Sequence, residues 1–411
     1  MSLSERETDQ ILVWEEKETY RACEAWQQPQ GRNMDLTAKA LCGATLLLTV
    51  GSAAAQSSVT MYGVLDTFLQ YLNNGGAASY SERSGGATGS LLGLRGKEDL
   101  GGGLHAKFDI ETGYNVNNGS LFADTTTLFY RQAWVGLFNE KYGSLTFGRQ
   151  YQPTFTVAYN ADPFALNEVL SPLSAAVLAV DRNTLATQSI TGRTSNAMLY
   201  QSPNMDGVRL YAMYAFSATV TQPVPATTGN VLDVAVTYTG FGLYAGFAYQ
   251  IQHPGTETIT AGRFTSMNLV ASEHYTGAIA YRFGIANIQL VYTYARPKDP
   301  QAGSAAALVG AAHPVSIAGV GATIQATSAD VVEIECFERN VRGAHDNTPG
   351  IELGYDHFLS KRTSLYLRAG YMKNNGSAAT SWPGIRVVTS SGATNSGASQ
   401  TLVAAGITHR F

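Results

Sequence analysis

From Leu104 to Glu111 the chain alternates without a break, with Leu104, Ala106, Phe108 and Ile110 on one face and His105, Lys107, Asp109 and Glu111 on the other. Side chains two apart point the same way in an extended strand. Four charged or polar groups on one face cannot line a dry core, because unpaired buried charge costs too much. They need water, and their apolar partners need lipid or protein. A strand wet on one side and oily on the other fits the wall of a transmembrane β-barrel.

The last eleven residues, Thr401 to Phe411, are strand-like as well and finish on an aromatic side chain. Termini usually fray, whereas a closed barrel needs its last strand to pair with its first. Phe411 is therefore expected at the barrel closure. Composition agrees: only 14% of residues are charged, and 22 Tyr with 16 Phe would supply interfacial aromatic girdles. Beyond residue 55 no apolar stretch reaches the roughly 18 residues that a membrane helix needs.

Near the start, Met34 to Lys39 precedes an apolar run from Ala40 to Ala55 that ends in Ala53-Ala54-Ala55, a small-x-small cleavage pattern. Residues 34–55 are expected to be a signal peptide cleaved after Ala55. Residues 1–33, polar and upstream of an internal Met, are expected to be a mis-called or non-native extension. The barrel is then assigned to 56–411. That part holds 22 Lys or Arg against 23 Asp or Glu, which leaves no electrostatic footprint for nucleic acid.

Cys336 is the only cysteine past residue 55, and the seven histidines are scattered, so no disulfide framework, metal site or other cofactor is implied. Gly101-Gly102-Gly103 lies in a turn with no helical pattern after it, which argues against a dinucleotide loop. A barrel enzyme of the lipase or protease type would need a nucleophile and a base. No Gly-x-Ser-x-Gly block occurs, which favours a passive channel over that alternative.

Strands are predicted at 58–71, 89–97, 103–115, 127–138, 143–151, 193–202, 206–217, 230–239, 242–252, 270–282, 285–296, 351–359, 363–373 and 401–411. Two more are expected between Pro314 and Asn340, for an even total of about 16. Long Gly/Ser/Asn/Thr loops alternate with tight turns such as Asn139 to Gly143, Gly240-Phe241-Gly242 and Arg282-Phe283-Gly284. External loops are long and periplasmic turns short in outer-membrane barrels.

Several ordered blocks carry a resemblance: Ser58-Val59-Thr60-Met61-Tyr62-Gly63-Val64-Leu65-Asp66, then Leu92 to Leu104, Arg131 to Leu137, Gly143 to Tyr151, and the terminal His409-Arg410-Phe411. Together they resemble the trimeric general-diffusion porins of Gram-negative bacteria, from about Ser58 to Phe411. The resemblance implies an outer-membrane homotrimer among lipid and lipopolysaccharide, passing small hydrophilic solutes and ions. It also implies that the third external loop folds into the lumen and faces basic residues of the wall, and that the transverse field between them selects solutes.

On that basis the segment 152–192 is the inward loop, with Asp162 and Glu168 its acidic members and Asp181 a lesser candidate. Asp162 before Pro163 also fits a helix entry. The basic wall is Arg95, Arg131 and Arg193, followed by Lys107. Alternation places Arg95 and Lys97 with Leu91, and Arg131 with Ala133 and Val135. Leu91 stands where relatives often carry another arginine, which implies a less positive ladder. Arg149 turns outward, where an uncovered arginine would cost about 2–4 kcal/mol at mid-membrane. Gln132 and Arg149 are therefore expected at the trimer contact.

Overall fold

The computed structural model describes residues 58–411 apart from 74, 76–77, 123–126, 167–170, 172–191, 217–229, 254, 258–266, 270, 299–313, 344–345, 377 and 379–396. The expected leader and extension, Glu168 and Asp181 lie outside the described residues.

The strands are β1 (Ser58–Asn73), β2 (Ala78–Ser84), β3 (Leu91–Gly101), β4 (Leu104–Gly113), β5 (Gln132–Asn139), β6 (Gly143–Tyr151), β7 (Arg193–Gln201), β8 (Val208–Ala215), β9 (Val231–Gly240) and β10 (Leu243–Gln252), followed by β11 (Gly255–Glu257) and β12 (Met267–Leu269), a small separate hairpin. They continue as β13 (Ala271–Phe283), β14 (Ala286–Lys298), β15 (Val315–Gln325), β16 (Asp330–Val341), β17 (Asp346–Phe358), β18 (Thr363–Lys373), β19 (Asn375–Gly376) and β20 (Ser399–Arg410). A single helix among the described residues, α1 (Pro153–Tyr159), follows β6.

Sixteen of these strands form a closed antiparallel barrel, each pairing with its neighbour in sequence, with β2 and β19 as short extensions at the rim. The pair expected between Pro314 and Asn340 is β15 and β16. Closure runs from Val64 opposite Arg410 to Asn73 opposite Thr401, and Phe411 exchanges backbone hydrogen bonds with Gly63 at 3.1 Å in both directions. Every backbone donor in such a wall finds an acceptor without exposing an edge to lipid.

Exposed apolar side chains mark the outward face: Met61 and Leu65 on β1, Leu92 and Leu94 on β3, Val135 and Leu137 on β5, Leu353 and Tyr355 on β17. Their sequence neighbours point inward, as period two requires. Tight turns gather at one end. Phe241 and Gly242 both have positive φ, the primed geometry that a two-residue hairpin needs.

The lumen departs from simple polar lining beneath α1. There Val157 and Ala158 pack on Ala235, Ala248, Ala278, Ala280 and Val291, so this part of the inner wall is small and apolar. Gly321 belongs to the same design, since a side chain there would come within 2.6 Å of Pro163 Cγ. This is why β10, β13 and β15 alternate so weakly in polarity. Beneath α1 both faces are apolar, while Gln250, Gln252, His274 and Thr276 keep the rest of the inner faces of β10 and β13 polar.

Candidate functional site

The inward loop begins with a proline at the first turn of α1, where its missing N–H costs nothing. The N-cap residue Gln152 makes no side-chain capping bond to this helix; the wall caps it. Asp233 of β9 accepts hydrogen bonds from Thr154 N at 3.2 Å and Thr154 Oγ1 at 2.9 Å, and Gln250 of β10 donates to it at 3.0 Å. A stack continues the attachment: Tyr151 lies 4.6 Å from Phe155, ring to ring, and Phe155 lies 5.8 Å from Tyr159. The loop is thereby held across the channel.

Asp162 is not presented to the lumen, contrary to the expectation of an acidic rim. Its carboxylate accepts from Phe164 N at 2.9 Å, Leu166 N at 2.6 Å and Ser171 Oγ at 2.8 Å, capping a turn rather than a helix. Burial pushes this carboxyl up from its ordinary range, against the pull of those hydrogen bonds. Beneath the turn, Arg368 of β18 bridges Glu333 at 3.1 Å and Asp356 at 3.0 Å, and its guanidinium lies 5.4 Å from the Phe164 ring. Sequence reasoning missed these anchoring residues. Glu333 and Glu335 carry the one usable signal, the clean alternation of Val331 to Phe337.

The cations of the basic wall stand on β3 and β4, just before β5 and at the start of β7. Arg95 faces inward with its guanidinium 4.8 Å from the Tyr62 ring, and its register partner on β4 is Asp109. The Tyr62 hydroxyl sits within hydrogen-bonding distance of Asp109 Oδ1, at 2.6 Å, and of Glu111 Oε1, at 2.8 Å. Lys107 also faces inward, with Nζ 4.4 Å from the centre of the Phe138 ring.

Arg131 reaches the same cluster by a route that alternation did not foresee. Val135, on its expected side, is 57% exposed on the outer surface. Arg131 precedes β5, where the chain bends, and its side chain instead turns in to Glu111, 3.5 Å away. It donates to the Tyr151 hydroxyl at 3.4 Å, and Arg193 donates to that same hydroxyl while stacking 4.0 Å over the ring. Arg193 is only 1% exposed. Arg131 and Arg193 thus brace the loop hinge, and Arg95 and Lys107 are the more open cations.

Gln132 is a second correction. It pairs in register with Glu111 and shares a face with Trp134, whose Nε1 donates to its Oε1 at 3.1 Å, so it points into the barrel and not toward a neighbouring subunit. Arg149 does turn outward, opposite Ala133. It is held there by the Tyr130 carbonyl and by Ser195 Oγ at 2.9 Å, beside a bulge after Gly148. Those partners relieve much of the cost of a charge on this face.

A closed sixteen-strand wall, apolar outside and narrowed within by a tethered loop, defines an outer-membrane diffusion channel. The family model described as Gram-negative porin matches residues 42–377, and the chain belongs to that family. It is 30% identical over 386 residues to outer membrane porin protein 32 of Delftia acidovorans, covering 91% of this chain and 99% of that one. An outer membrane porin protein of Bordetella pertussis is 28% identical, over 82% of this chain and 94% of the relative. Among solved structures, the anion-selective porin from Comamonas acidovorans superposes with a TM-score of 0.71 at 26% identity, over 87% of this chain and all of that one. The protein is an outer-membrane porin.

Proposed function

We propose that this porin passes small hydrophilic solutes and ions with a weak preference for anions, as a homotrimer and without chemistry of its own. The register pairing of Arg95 with Asp109 carries the reading. A lone charge about 6 Å from a permeant ion is worth about 3 kcal/mol at an effective dielectric of about 20, whereas an ion pair presents only a dipole. Arg95 and Arg131 each have a wall carboxylate beside them, which keeps the preference weak, and Lys107 adds a further positive charge to the same inner wall. The likeness to the Comamonas porin, which is anion-selective, supports the sign. The outward Arg149 supports a subunit contact on that side of the barrel.

The test is the reversal potential of single channels in a salt gradient. Replacing Arg95, Arg131 and Arg193 together by glutamine should move selectivity toward cations, and an unchanged potential would refute the assignment. Chemical crosslinking in mild detergent that yielded only monomer would refute the trimer. Esterase or peptidase turnover by purified protein would refute a purely passive role.

A further inference from the structure

On the inner face of β5, Trp134 and Phe138 flank Gly136. Residues four apart on a strand are separated by roughly 13 Å along its axis. These two ring centres are only 5.9 Å apart, at an interplanar angle of 45°. Both rings therefore lean in over the glycine between them. Half-buried aromatic faces on a wet wall need a reason, because among the described residues neither ring belongs to an apolar cluster of the interior. The indole N–H is committed to Gln132 at 3.1 Å, which fixes the Trp134 ring and leaves its face as the surface it presents.

Cations meet this aromatic wall. Lys107 is the register partner of Gly136 on one side and of Lys97 on the other, and its Nζ lies 4.4 Å from the centre of the Phe138 ring. Lys97 is exposed and brings a second ammonium group to the same row. Like charges directly opposite on neighbouring strands repel, and an anion between them removes that cost. The carboxylates nearby are turned to other groups, Asp109 to the Tyr62 hydroxyl and Asp99 to within 3.8 Å of His105. The row lies close to the short turns that join β3 to β4 and β5 to β6, hence toward the periplasmic mouth. Arg131, which braces the loop hinge, stands at the other end of β5.

We propose that Trp134, Phe138, Lys107 and Lys97 form a subsite in the lumen for small planar aromatic carboxylates. The ring of the solute stacks on the aromatic wall, and its carboxylate sits between the two ammonium groups. An aliphatic carboxylate gains only the charge, and an aromatic cation only the stacking. The aromatic acid gains both. The subsite assigns a solute class to the channel, and it rests on the reading of this protein as a passive pore that prefers anions.

The experiment places the full barrel in planar bilayers, adds benzoate, acetate or benzylammonium to both sides at constant ionic strength, and reads the concentration that half-blocks the chloride current. Wild type should be half-blocked by benzoate at a concentration at least about tenfold below that of acetate or benzylammonium. W134L and F138L should each raise the benzoate value at least about threefold and leave the acetate value in place. K107Q should raise both values. Where W134L yields no channels, F138L decides the role of the rings. Equal blockade by benzoate and acetate, blockade by benzylammonium as strong as by benzoate, or an unchanged benzoate value in F138L or K107Q would overturn the proposal. The reversal potential in a potassium chloride gradient is recorded on the same channels. A cation preference there would sink the anion reading, whereas equal benzoate and acetate values in an anion-preferring channel would sink the subsite alone.

Discussion

Thr408 donates its hydroxyl to Asp66 Oδ2 at 2.6 Å, joining the first and last strands of the barrel across 342 positions of chain. The two residues are also register partners on β1 and β20. Asp66 collects four further donors: Gly86 N at 2.6 Å, Ala87 N at 3.1 Å, Thr88 N at 3.2 Å and Tyr366 Oη at 2.8 Å. One buried carboxylate therefore ties the closure seam to β18 and to the segment that re-enters the wall after β2. Replacing Thr408 by valine removes a single charge-assisted bond and should cost about 1.5–3 kcal/mol. Asp66→Ala orphans five donors and should cost more, with Asp66→Asn between them. Thermal unfolding in detergent ranks the three; equal midpoints would contradict the hub.

Gly148 has φ +125, and it faces the Ala133 carbonyl so closely that any Cβ would collide with backbone. Gly148→Ala should block or strongly destabilise barrel assembly. Gly101, also at positive φ but with open space around it, should accept alanine at a cost of about 1 kcal/mol. Refolding yield measured for both variants checks the contrast.

Asp233 secures α1 from β9, three strands along the wall from β6, so Asp233→Ala should loosen the inward loop while leaving the strands paired. Conductance should rise or become noisy, with the far-ultraviolet spectrum unchanged. A quiet channel of wild-type conductance would mean that the aromatic stack alone holds the loop.

Asp109→Asn removes the carboxylate opposite Arg95 and leaves that cation unbalanced. The ion energy at the waist should fall for anions by about 1 kcal/mol, roughly fivefold in the permeability ratio. Reversal potentials in a salt gradient measure it, and a shift toward cations would reverse the proposed sign.

Although the pair between Pro314 and Asn340 followed from the even count, period-two patterning made most of the strands legible, because each must put apolar atoms in lipid and polar atoms in water. It placed Arg95, Lys107 and Arg149 on the faces where they are found. It failed at Arg131, whose side is set by a bend before β5, and at Gln132, which inherits the inward face of that strand. The chain also gave no sign that Asp162 would turn back into its own loop. A side chain's free hydrogen bonds cannot be counted until the backbone around it is folded.

Barrel class and the sidedness of the cleanly alternating strands were determined by the sequence alone, since a slip of one residue would exchange oil for water along a whole strand. Tertiary structure decided which charges confront one another. The bond from Thr408 to Asp66, the clasp of Asp233 on Thr154 and the sharing of Tyr151 by Arg131 and Arg193 each join distant strands. Their geometry exists only once the sheet has closed, because closure fixes the register between segments that local patterning leaves independent.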